Sequence, residues 1–501
     1  MVLSRVEWGQ TVVKEDLRLV AGKPALLRAY VLGDKAGLSV KVRASVYLNS
    51  QFQQDLDFAG PATLPPSENV SDLSQSFRAT LPASLVQPGL ELRLQADPDN
   101  QIAETDETNN LRTVTPTVGK DTTLYLTLVP VIQGGIQPPT PDLSTLKQGL
   151  VDIWPLKAVD IQMRTAYSTN TTGWGQLLNE ITALRAADKS GRYYYGYLNL
   201  NGGIAWLGLP VGVGNPSSGV MAHELGHNFN LSHAPCGNAS NPDPNYPYAG
   251  GGIGSWGYSL SKGSLVDPAD SKIKDVMGYC GFGWVSDYMY QKAQTFLETS
   301  PPQAQTEPQL QNVLLVSGRV TAQGVVLDPP TPMQASLSLP KPGPYTLRLQ
   351  TEKGMREIPF ATQTAIVMPN HDEHTGHFQA MPASAPQTLE QFVFTVADPG
   401  VLKALEVRRG GVSLARLEAG VKLQTASNLQ LREEGESLFL SWNSVAYHHL
   451  SVAHLGAQRT TLALWQEGGS VRVSTRGLPA GGVFEVVLSD GINTLRQEIK
   501  R

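Results

Sequence analysis

The segment from Met221 to His233 restricts the fold of this chain more than any other part of its 501 residues. It reads Met-Ala-His-Glu-Leu-Gly-His-Asn-Phe-Asn-Leu-Ser-His. On an α-helix, His223 and His227 are four residues apart and share one face, so both imidazoles can bind one metal ion. His233 lies six residues beyond His227, too far along a continuous helix to reach the same ion. The segment therefore predicts a helix followed at once by a sharp turn.

Two residues inside this segment fit a metal site of that shape. Asn230 falls where the turn needs a left-handed backbone, a conformation that Asn adopts more readily than most residues with a side chain. Glu224 follows the first histidine and overhangs the metal, where its carboxylate can accept a proton from water without binding the ion. Three histidines favour zinc, so the segment predicts one catalytic Zn²⁺ ion.

This pattern resembles the elongated zinc motif of the metzincin metallopeptidases, His-Glu-x-x-His-x-x-Gly-x-x-His, with Asn230 in place of the usual glycine. A Met-turn follows that motif in the family, and residues 275–280, Asp-Val-Met-Gly-Tyr-Cys, match it about 44 residues after His233. The resemblance implies an α+β catalytic domain in which Met277 lies beneath the zinc ligands. It also implies that the Tyr279 phenol lies near the metal, where it could stabilise an oxyanion; a packed tyrosine is the alternative.

The resemblance also brings the two cysteines of the chain together. Cys236 follows the third histidine by three residues, and Cys280 follows Met277 by three. A folded metzincin site would place them close enough for a disulfide, which would tie the loop after His233 to the Met-turn. Two separately buried thiols are the alternative.

A short apolar segment before the motif corresponds to the edge strand that metzincins pair with extended substrate. This segment contains Gly203, Ala205, Trp206 and Leu207, and Pro210 is expected to end it. An unpaired edge would supply main-chain hydrogen bonds to a peptide, so these residues are the expected substrate-binding strand.

The remaining sequence predicts a multidomain chain in which the α+β domain is flanked by all-β immunoglobulin-like sandwiches. Residues 1–118 contain short alternating runs separated by Pro, Gly and Asp turns, whereas helices alternate with strands over residues 119–300. After a Pro- and Gln-rich linker, residues 312–420 and 421–501 again read as short strands. The last range contains Trp442, which fits the core of an immunoglobulin- or fibronectin-like sandwich.

Two further polar clusters could bind metal ions. Residues 97–110 resemble the last turn of bacterial immunoglobulin-like adhesion modules, and their carboxylates could hold a structural Ca²⁺ ion. A solvated acidic hairpin is the alternative and the favoured interpretation. Residues 371–377, His-Asp-Glu-His-Thr-Gly-His, are flanked by turn residues, which favours an exposed hairpin over a metal site.

Composition limits the partners and the location. The formal net charge of −5 and the pI of about 6.0 give no basic surface for nucleic acid, so none is expected. No apolar run is long enough to span a membrane, and the first ten residues, MVLSRVEWGQ, lack the features of a signal peptide. A disulfide is typical of oxidising compartments, and we therefore expect a secreted or cell-surface protein.

The resemblance implies a zinc-dependent endopeptidase that hydrolyses peptide bonds in extracellular proteins or glycoproteins. A non-catalytic adhesin or glycan-binding surface protein, in which zinc only braces the fold, is the alternative from another class. A narrower alternative is a protease specific for mucin-type glycoproteins. The sequence leaves the cleavage-site preference and the oligomeric state open.

Overall fold

The fold is multidomain and mainly β, as the sequence predicts. The structure is a computed structural model that describes residues 1–33, 39–280, 282–300, 311–368, 388–419 and 427–501. The α-helices of these residues all lie between Leu143 and Thr299. None of them combines the length and the apolar character that crossing a bilayer would require.

The N-terminal part forms two four-stranded sheets that enclose a common core. One sheet has the order β2-β1-β3-β6 and the other β5-β4-β7-β8. In the seventh strand, alternate residues from Leu90 to Ala96 are buried, which is the period expected of a strand with one face on the core. The strands are β1 (Val2–Gly9), β2 (Val13–Lys14), β3 (Ala25–Leu32), β4 (Val42–Leu48), β5 (Gln51–Asp57), β6 (Phe77–Leu81), β7 (Leu90–Ala96) and β8 (Leu111–Val114).

The central part contains four helices, the strands of a mixed sheet and two separate two-stranded sheets, which the last four strands form. The helices are α1 (Leu143–Ile153), α2 (Trp174–Ala187), α3 (Ser218–Asn228) and α4 (Asp287–Thr299). The strands are β9 (Thr123–Gln133), β10 (Ala158–Met163), β11 (Tyr167–Thr169), β12 (Tyr193–Tyr197), β13 (Gly203–Trp206), β14 (Val211–Gly214), β15 (Gly257–Ser259), β16 (Ser264–Val266), β17 (Ile273–Asp275) and β18 (Phe282–Trp284).

This sheet has the order β10-β9-β12-β14-β13, and only β13 runs antiparallel to its neighbour in that path. Alternate tyrosines of β12 point to opposite faces. Tyr193 and Tyr195 pack in the core that holds α1 and α3, whereas Tyr194 packs in the core that holds α2. The sheet therefore lies between two helical layers, and the motif helix α3 lies on one of its faces.

The sequence over residues 159–167 predicts one strand, but the structure divides it into two. The first, β10, pairs with the start of β9, and β11 pairs with the end of the same strand. Between them, the Arg164 amide donates to the Leu128 carbonyl of β9 at 2.9 Å, and its guanidinium donates to the carboxylate of Asp188 at 2.5 Å.

The third part begins at Gln311 and forms two facing sheets. The first has the order β23-β22-β26-β27, and the second contains β24-β25-β19-β20 with β21 also on β19. The strands are β19 (Gln311–Thr321), β20 (Gly324–Leu327), β21 (Thr331–Ala335), β22 (Tyr345–Thr351), β23 (Gly354–Phe360), β24 (Gln363–Met368), β25 (Thr388–Ala397), β26 (Leu402–Arg409) and β27 (Val412–Glu418).

The alternating apolar residues over 335–339 predict a strand, and this prediction is wrong except for Ala335. Ala335 ends β21, and the following residues leave the ladder of β19. Ser338 exchanges hydrogen bonds with Thr395 instead, and Leu337 and Leu339 are exposed. The alternation of apolar residues in this stretch therefore does not reflect a buried strand face.

The central and third parts share one eleven-stranded sheet, which the sequence did not predict. Strand β24 pairs with β13 in an antiparallel ladder that runs from Gly203 opposite Met368 to Trp206 opposite Ala365. The segments on either side of the expected boundary near residue 300 therefore contribute strands to the same sheet.

The C-terminal part is a second pair of sheets, ordered β28-β29-β32 and β31-β30-β33-β34. Trp442 follows β29, is buried in the core between them, and donates to the Tyr447 carbonyl at 2.8 Å. The strands are β28 (Gln430–Glu434), β29 (Ser437–Ser441), β30 (His449–Leu455), β31 (Arg459–Gln466), β32 (Ser470–Ser474), β33 (Val483–Ser489) and β34 (Thr494–Lys500).

A buried polar group joins the C-terminal part to the central part. The Tyr167 hydroxyl donates to Glu180 Oε2 at 2.8 Å and accepts from the Leu464 amide of β31 at 3.0 Å. Burial raises the pKa of the Glu180 carboxyl to about 8. The folded chain therefore keeps a proton on this group in a pH range where an unfolded chain has released it.

We predict that this proton makes the folded state less stable as pH rises. Between the ordinary carboxyl pKa and about pH 8, the free energy of unfolding should fall by on the order of 1 kcal/mol per pH unit. Glu180→Gln keeps a neutral hydrogen-bond acceptor and should flatten this slope, whereas Glu352→Gln on the surface should not. Urea denaturation across this range measures both, and equal slopes in the two variants would contradict the assignment.

Candidate active site

Helix α3 carries three of the residues predicted for the site. It begins at the N-cap residue Ser217, whose hydroxyl accepts from the Val220 amide. The helix packs against β13 and β14 on one side and α1 on the other. His223, Glu224 and His227 are all fully buried. Titratable side chains are rarely buried in this way unless they bind a partner.

The turn after α3 returns the chain to the histidines. Asn230 has a φ of 65°, in the left-handed region. The Asn230 amide donates to the His227 carbonyl at 2.8 Å, and the Leu231 amide donates to the Gly226 carbonyl at 3.1 Å. These bonds satisfy the last carbonyls of the helix and redirect the chain within three residues. His233 is thereby placed beside the two helical histidines.

The three imidazoles converge through their Nε2 atoms. The Nε2 atom of His223 lies 3.1 Å from that of His227 and 3.2 Å from that of His233. Among the described residues, these three side chains form the group whose ligand atoms could hold a metal ion. The arrangement supplies three nitrogen ligands to one point and leaves further coordination positions open, as in catalytic zinc sites.

The other nitrogen of each imidazole fixes its orientation. Each Nδ1 atom contacts a backbone carbonyl, to which it must donate its proton, so each Nε2 atom presents a lone pair toward the shared point. Such partners on the outer nitrogen are typical of metal-binding histidines. The carbonyls belong to Val276 for His223 (2.8 Å), to Leu231 for His227 (2.8 Å) and to Ser240 for His233.

Burial favours the neutral form of His227 and His233. It lowers the pKa of His233 to about 4, and it lowers the pKa of His227 well below the ordinary value, with a further contribution from the two neighbouring histidines. Neutral imidazole is the form that binds metal ions. Three Nε2 atoms that converge on one point form a ligand set that fits a cation.

Glu224 lies beside this point without a protein partner. Both of its carboxylate oxygens are buried and make no hydrogen bond to the described residues. Burial raises the pKa of this carboxyl well above its usual range. The side chain fits only because residue 203 is glycine, since a Cβ atom there would lie 2.5 Å from Glu224 Oε1. A buried carboxylate without donors indicates a place for water or a cation.

The segment after the third histidine supports the site from below. Met277 is fully buried, and its Sδ atom would lie only 2.2 Å from a Cβ atom on Gly226. The helix therefore needs glycine at this position to rest on the methionine. Asp275 holds the turn, because its carboxylate accepts from the amides of Met277 and Ser286, each at 2.8 Å.

Tyr279 lies against two of the histidines. Its ring centroid is 4.6 Å from that of His233 and 5.6 Å from that of His223. Burial raises the pKa of the phenol, so it remains a hydrogen-bond donor at neutral pH. The hydroxyl donates to the Val367 carbonyl of β24 at 3.1 Å. The tyrosine is thus packed and also directs a donor to the region beside the histidines.

The predicted disulfide between Cys236 and Cys280 is present, with a Cα–Cα distance of 5.8 Å. It joins the loop after His233 to the Met277 turn. Backbone hydrogen bonds link the same segments, from the Tyr279 amide to the Cys236 carbonyl and from the Ala234 amide to the Met277 carbonyl, both at 3.0 Å.

The expectation of an unpaired substrate-binding edge is wrong for the chain as folded. Gly203, Ala205 and Trp206 lie in β13, and Leu207 follows it, but the outer edge of β13 is filled by β24. The Leu207 amide donates to the Thr364 carbonyl at 3.0 Å. The sequence analysis placed this strand next to the site. A local pattern could not reveal its partner β24, which lies about 160 residues further along the chain.

The carboxylates of the acidic turn over residues 97–110 have partners within the protein. In the acidic turn, Asp97 accepts from two backbone amides, and Glu104 binds the N-terminal amine. Within the described ranges, these carboxylates do not gather as a group of three potential ligands. Residues 371–377 lie outside the described residues.

Three residues that the sequence analysis missed also hold the site. The Trp154 indole donates to the Ala222 carbonyl at 3.0 Å from beneath α3. The Asn228 amide donates to the Trp206 and Val211 carbonyls, each at 3.0 Å, and so joins the helix to both neighbouring strands. Asp275 caps the turn, as described above. Two of these supports had a signal in the sequence. Asn228 directly follows the second histidine, and Asp275 lies two residues before the methionine.

Comparison with known proteins supports a peptidase. Residues 156–299 match the family model of peptidase M66, a metallopeptidase family, and residues 32–114 match that of CARDB. Dictomallein of Burkholderia pseudomallei and that of Burkholderia mallei are each 25% identical over an alignment of 269 residues, which covers 42% of this chain. The chain spans 37% of the length of these relatives.

Two shorter similarities accompany these matches. A Dictomallein-like protein of Hahella chejuensis is 39% identical over 69 residues, which are 13% of this chain and 11% of that protein. A solved structure of a CARDB domain from Pyrococcus furiosus, in complex with di-metal ions, is 20% identical and covers 24% of this chain and 96% of that one. Its TM-score of 0.16 is too low to support a structural argument.

We predict that the chain binds one zinc ion per molecule at the three histidines. His227→Ala should lower zinc affinity by a factor of roughly 100 or more, because two imidazoles without the third leave an incomplete ligand set. The exposed His448→Ala is the matched control. Metal analysis after dialysis and competition with a chelating dye measure both, and equal zinc content in the two variants would argue against the site.

Proposed function

We propose that this protein is a zinc-dependent endopeptidase with a metzincin-like catalytic domain. The observation that carries the proposal is the convergence of three imidazoles beside the Glu224 carboxylate, whose oxygens have no hydrogen-bond partner among the described residues. The match of residues 156–299 to a peptidase family supports the same reaction class. The sheet order, with one antiparallel strand next to α3 and a buried methionine turn beneath it, supports the metzincin assignment.

The zinc ion would be held by the Nε2 atoms of His223, His227 and His233. When bound, zinc polarises a carbonyl and lowers the pKa of water, which makes water a nucleophile at neutral pH. The protein fixes the imidazoles in advance through their Nδ1 contacts, so binding the ion requires little reorganisation.

Glu224 would act as the general base and then the general acid. Its carboxylate has no donor from the described protein and lies where it can take a proton from the attacking water. It would then return that proton to the departing amine of the peptide bond. Burial raises the pKa of this carboxyl, which makes it a stronger base than an exposed glutamate.

Tyr279 would donate a hydrogen bond to the oxyanion. Its phenol remains protonated, and its ring lies beside those of His223 and His233. A fixed donor in a site closed to water stabilises developing negative charge far more than a donor in bulk water does.

The proposed domains are residues 1–118, 119–300, 312–420 and 421–501, with immunoglobulin-like sandwiches around the peptidase. Protein substrates follow from the peptidase class, and the disulfide between Cys236 and Cys280 supports a secreted or cell-surface location. The adhesin alternative is disfavoured, because a site that only braces a fold would not need a free, buried Glu224.

We predict that Glu224→Ala abolishes cleavage of casein while leaving zinc bound, because this residue transfers protons and does not bind the metal. The loss should be on the order of 1000-fold or more in kcat/KM. Glu352→Ala, on the surface, is the matched control and should retain full activity. An assay of a mucin-type glycoprotein beside casein, with both variants, identifies the substrate class.

Undiminished turnover by Glu224→Ala with stoichiometric zinc would refute this mechanism. Activity of the unmodified chain in the presence of 1,10-phenanthroline would refute metal dependence.

We also predict that Gly203→Ala lowers kcat strongly, because the added Cβ atom would displace the Glu224 carboxylate. Gly212→Ala is the control from the adjacent strand, where a Cβ atom would meet its nearest neighbour at 3.4 Å, an ordinary contact. We expect a loss of about 100-fold for the first variant and less than about threefold for the second. Zinc content and thermal unfolding should stay close to normal, and equal kinetics for both variants would exclude this role of Gly203.

A further inference from the structure

Strand β24 passes the candidate active site on the outer side of β13. Its last residues, Val367 and Met368, lie opposite Ile204 and Gly203, and Gly203 is the residue that contacts the Glu224 side chain. An extended peptide that adds to β13 would have to occupy this same position. The segment of the third part therefore fills the place that the proposed function requires for substrate.

The ladder between the two strands resembles binding of an extended peptide at a sheet edge. The bond from the Leu207 amide to the Thr364 carbonyl makes this pair a hydrogen-bonded one. Since such pairs alternate in an antiparallel ladder, the Val367 main chain faces away from β13. Its carbonyl is free of the ladder and instead accepts from the Tyr279 hydroxyl at 3.1 Å.

The end of β24 packs against the candidate active site. Among the described residues, strand β25 pairs with β24 from Gln363 opposite Gln391 to Ile366 opposite Thr388. Met368 is 2% exposed and packs with Val220 and Tyr279 in a small apolar cluster. The strand thus engages β13 and the donor from Tyr279 at once, and these are the contacts that we assign to a bound peptide.

We infer that β24 is an intramolecular occupant of the substrate position, so that the chain in this conformation is latent and cleaves only when β24 leaves β13. This inference rests on the proposed function for the identity of the site. Substrate and β24 compete for the same hydrogen bonds and the same apolar cluster. The apparent affinity for substrate is then reduced by the fraction of molecules in which β24 is displaced.

A charge at Met368 tests the inference. Met368→Asp places a carboxylate in the apolar cluster and should weaken the binding of β24 to β13. Met355→Asp is the control, because it adds the same charge where the side chain is 58% exposed. We expect kcat/KM for casein to rise by roughly tenfold or more in the first variant and to stay unchanged in the second. Equal activity of both folded variants would overturn the inference while leaving the peptidase assignment intact.

A binding experiment separates this inference from the catalytic proposal. In chains that also carry Glu224→Ala, a fluorescent octapeptide with the sequence of residues 361–368 should bind roughly tenfold more tightly when Met368→Asp is present than when Met355→Asp is present. Fluorescence anisotropy measures this without turnover. Tighter binding without cleavage by chains that retain Glu224 would refute the proposed function and support the occupancy of the site by β24.

Hydrogen exchange covers the case in which Met368→Asp does not fold. In the Glu224→Ala chain, excess octapeptide should speed amide exchange in residues 364–368, since the peptide replaces β24 on β13. The β13 amides should stay protected, because they gain a new partner. Unchanged exchange in β24 at a peptide concentration that saturates anisotropy would show that the peptide binds elsewhere, which would overturn the inference.

Discussion

The site depends on three imidazole lone pairs that face one another in the buried interior. Lone pairs at this separation repel one another, so their mutual orientation is unfavourable unless a cation is present. The backbone must impose this arrangement, and it does so through carbonyls from three separate segments. Val276 precedes the buried methionine, Leu231 follows the helix turn, and Ser240 lies in the loop that the disulfide fixes.

Close approach of backbones then determines which residues the surrounding positions tolerate. Gly226 lets the helix rest on Met277, and Gly203 leaves the volume that the Glu224 side chain fills. Neither glycine has a positive φ, so both are selected by space and not by backbone conformation. Close packing of the helix on Met277 and on β13 therefore limits the space around the histidines and the glutamate.

Local sequence pattern predicted the parts of this arrangement that depend on neighbours in the chain. The helix of the motif and the pairing of the cysteines follow from spacing and resemblance. The interruption between β10 and β11 was missed, because the apolar periodicity of residues 159–167 continues through it.

The larger error of the sequence prediction concerns the partner of β24. It arises because strand pairing has little sequence specificity. Any exposed edge offers the same row of amides and carbonyls, so a sequence of alternating apolar residues states that a strand exists but not which edge it joins. Here the pairing spans the expected domain boundary, and it makes the edge of the peptidase sheet a buried interface.

This pairing links two properties of the β13 edge: its capacity to bind a peptide and its exposure to other copies of the chain. A free β13 edge would bind peptides, but it would also expose an unpaired strand to other copies of the chain. Strand β24 removes that hazard by satisfying the edge, and it does so with the contacts that we assign to substrate. Displacing it would expose Ala365, Ile366 and Met368, all of which are buried in the folded chain. Displacement of β24 from β13 is therefore favourable only when an incoming strand replaces both the hydrogen bonds and the apolar contacts of β24. On this proposal, the position that β24 occupies selects for substrates that bind in an extended conformation.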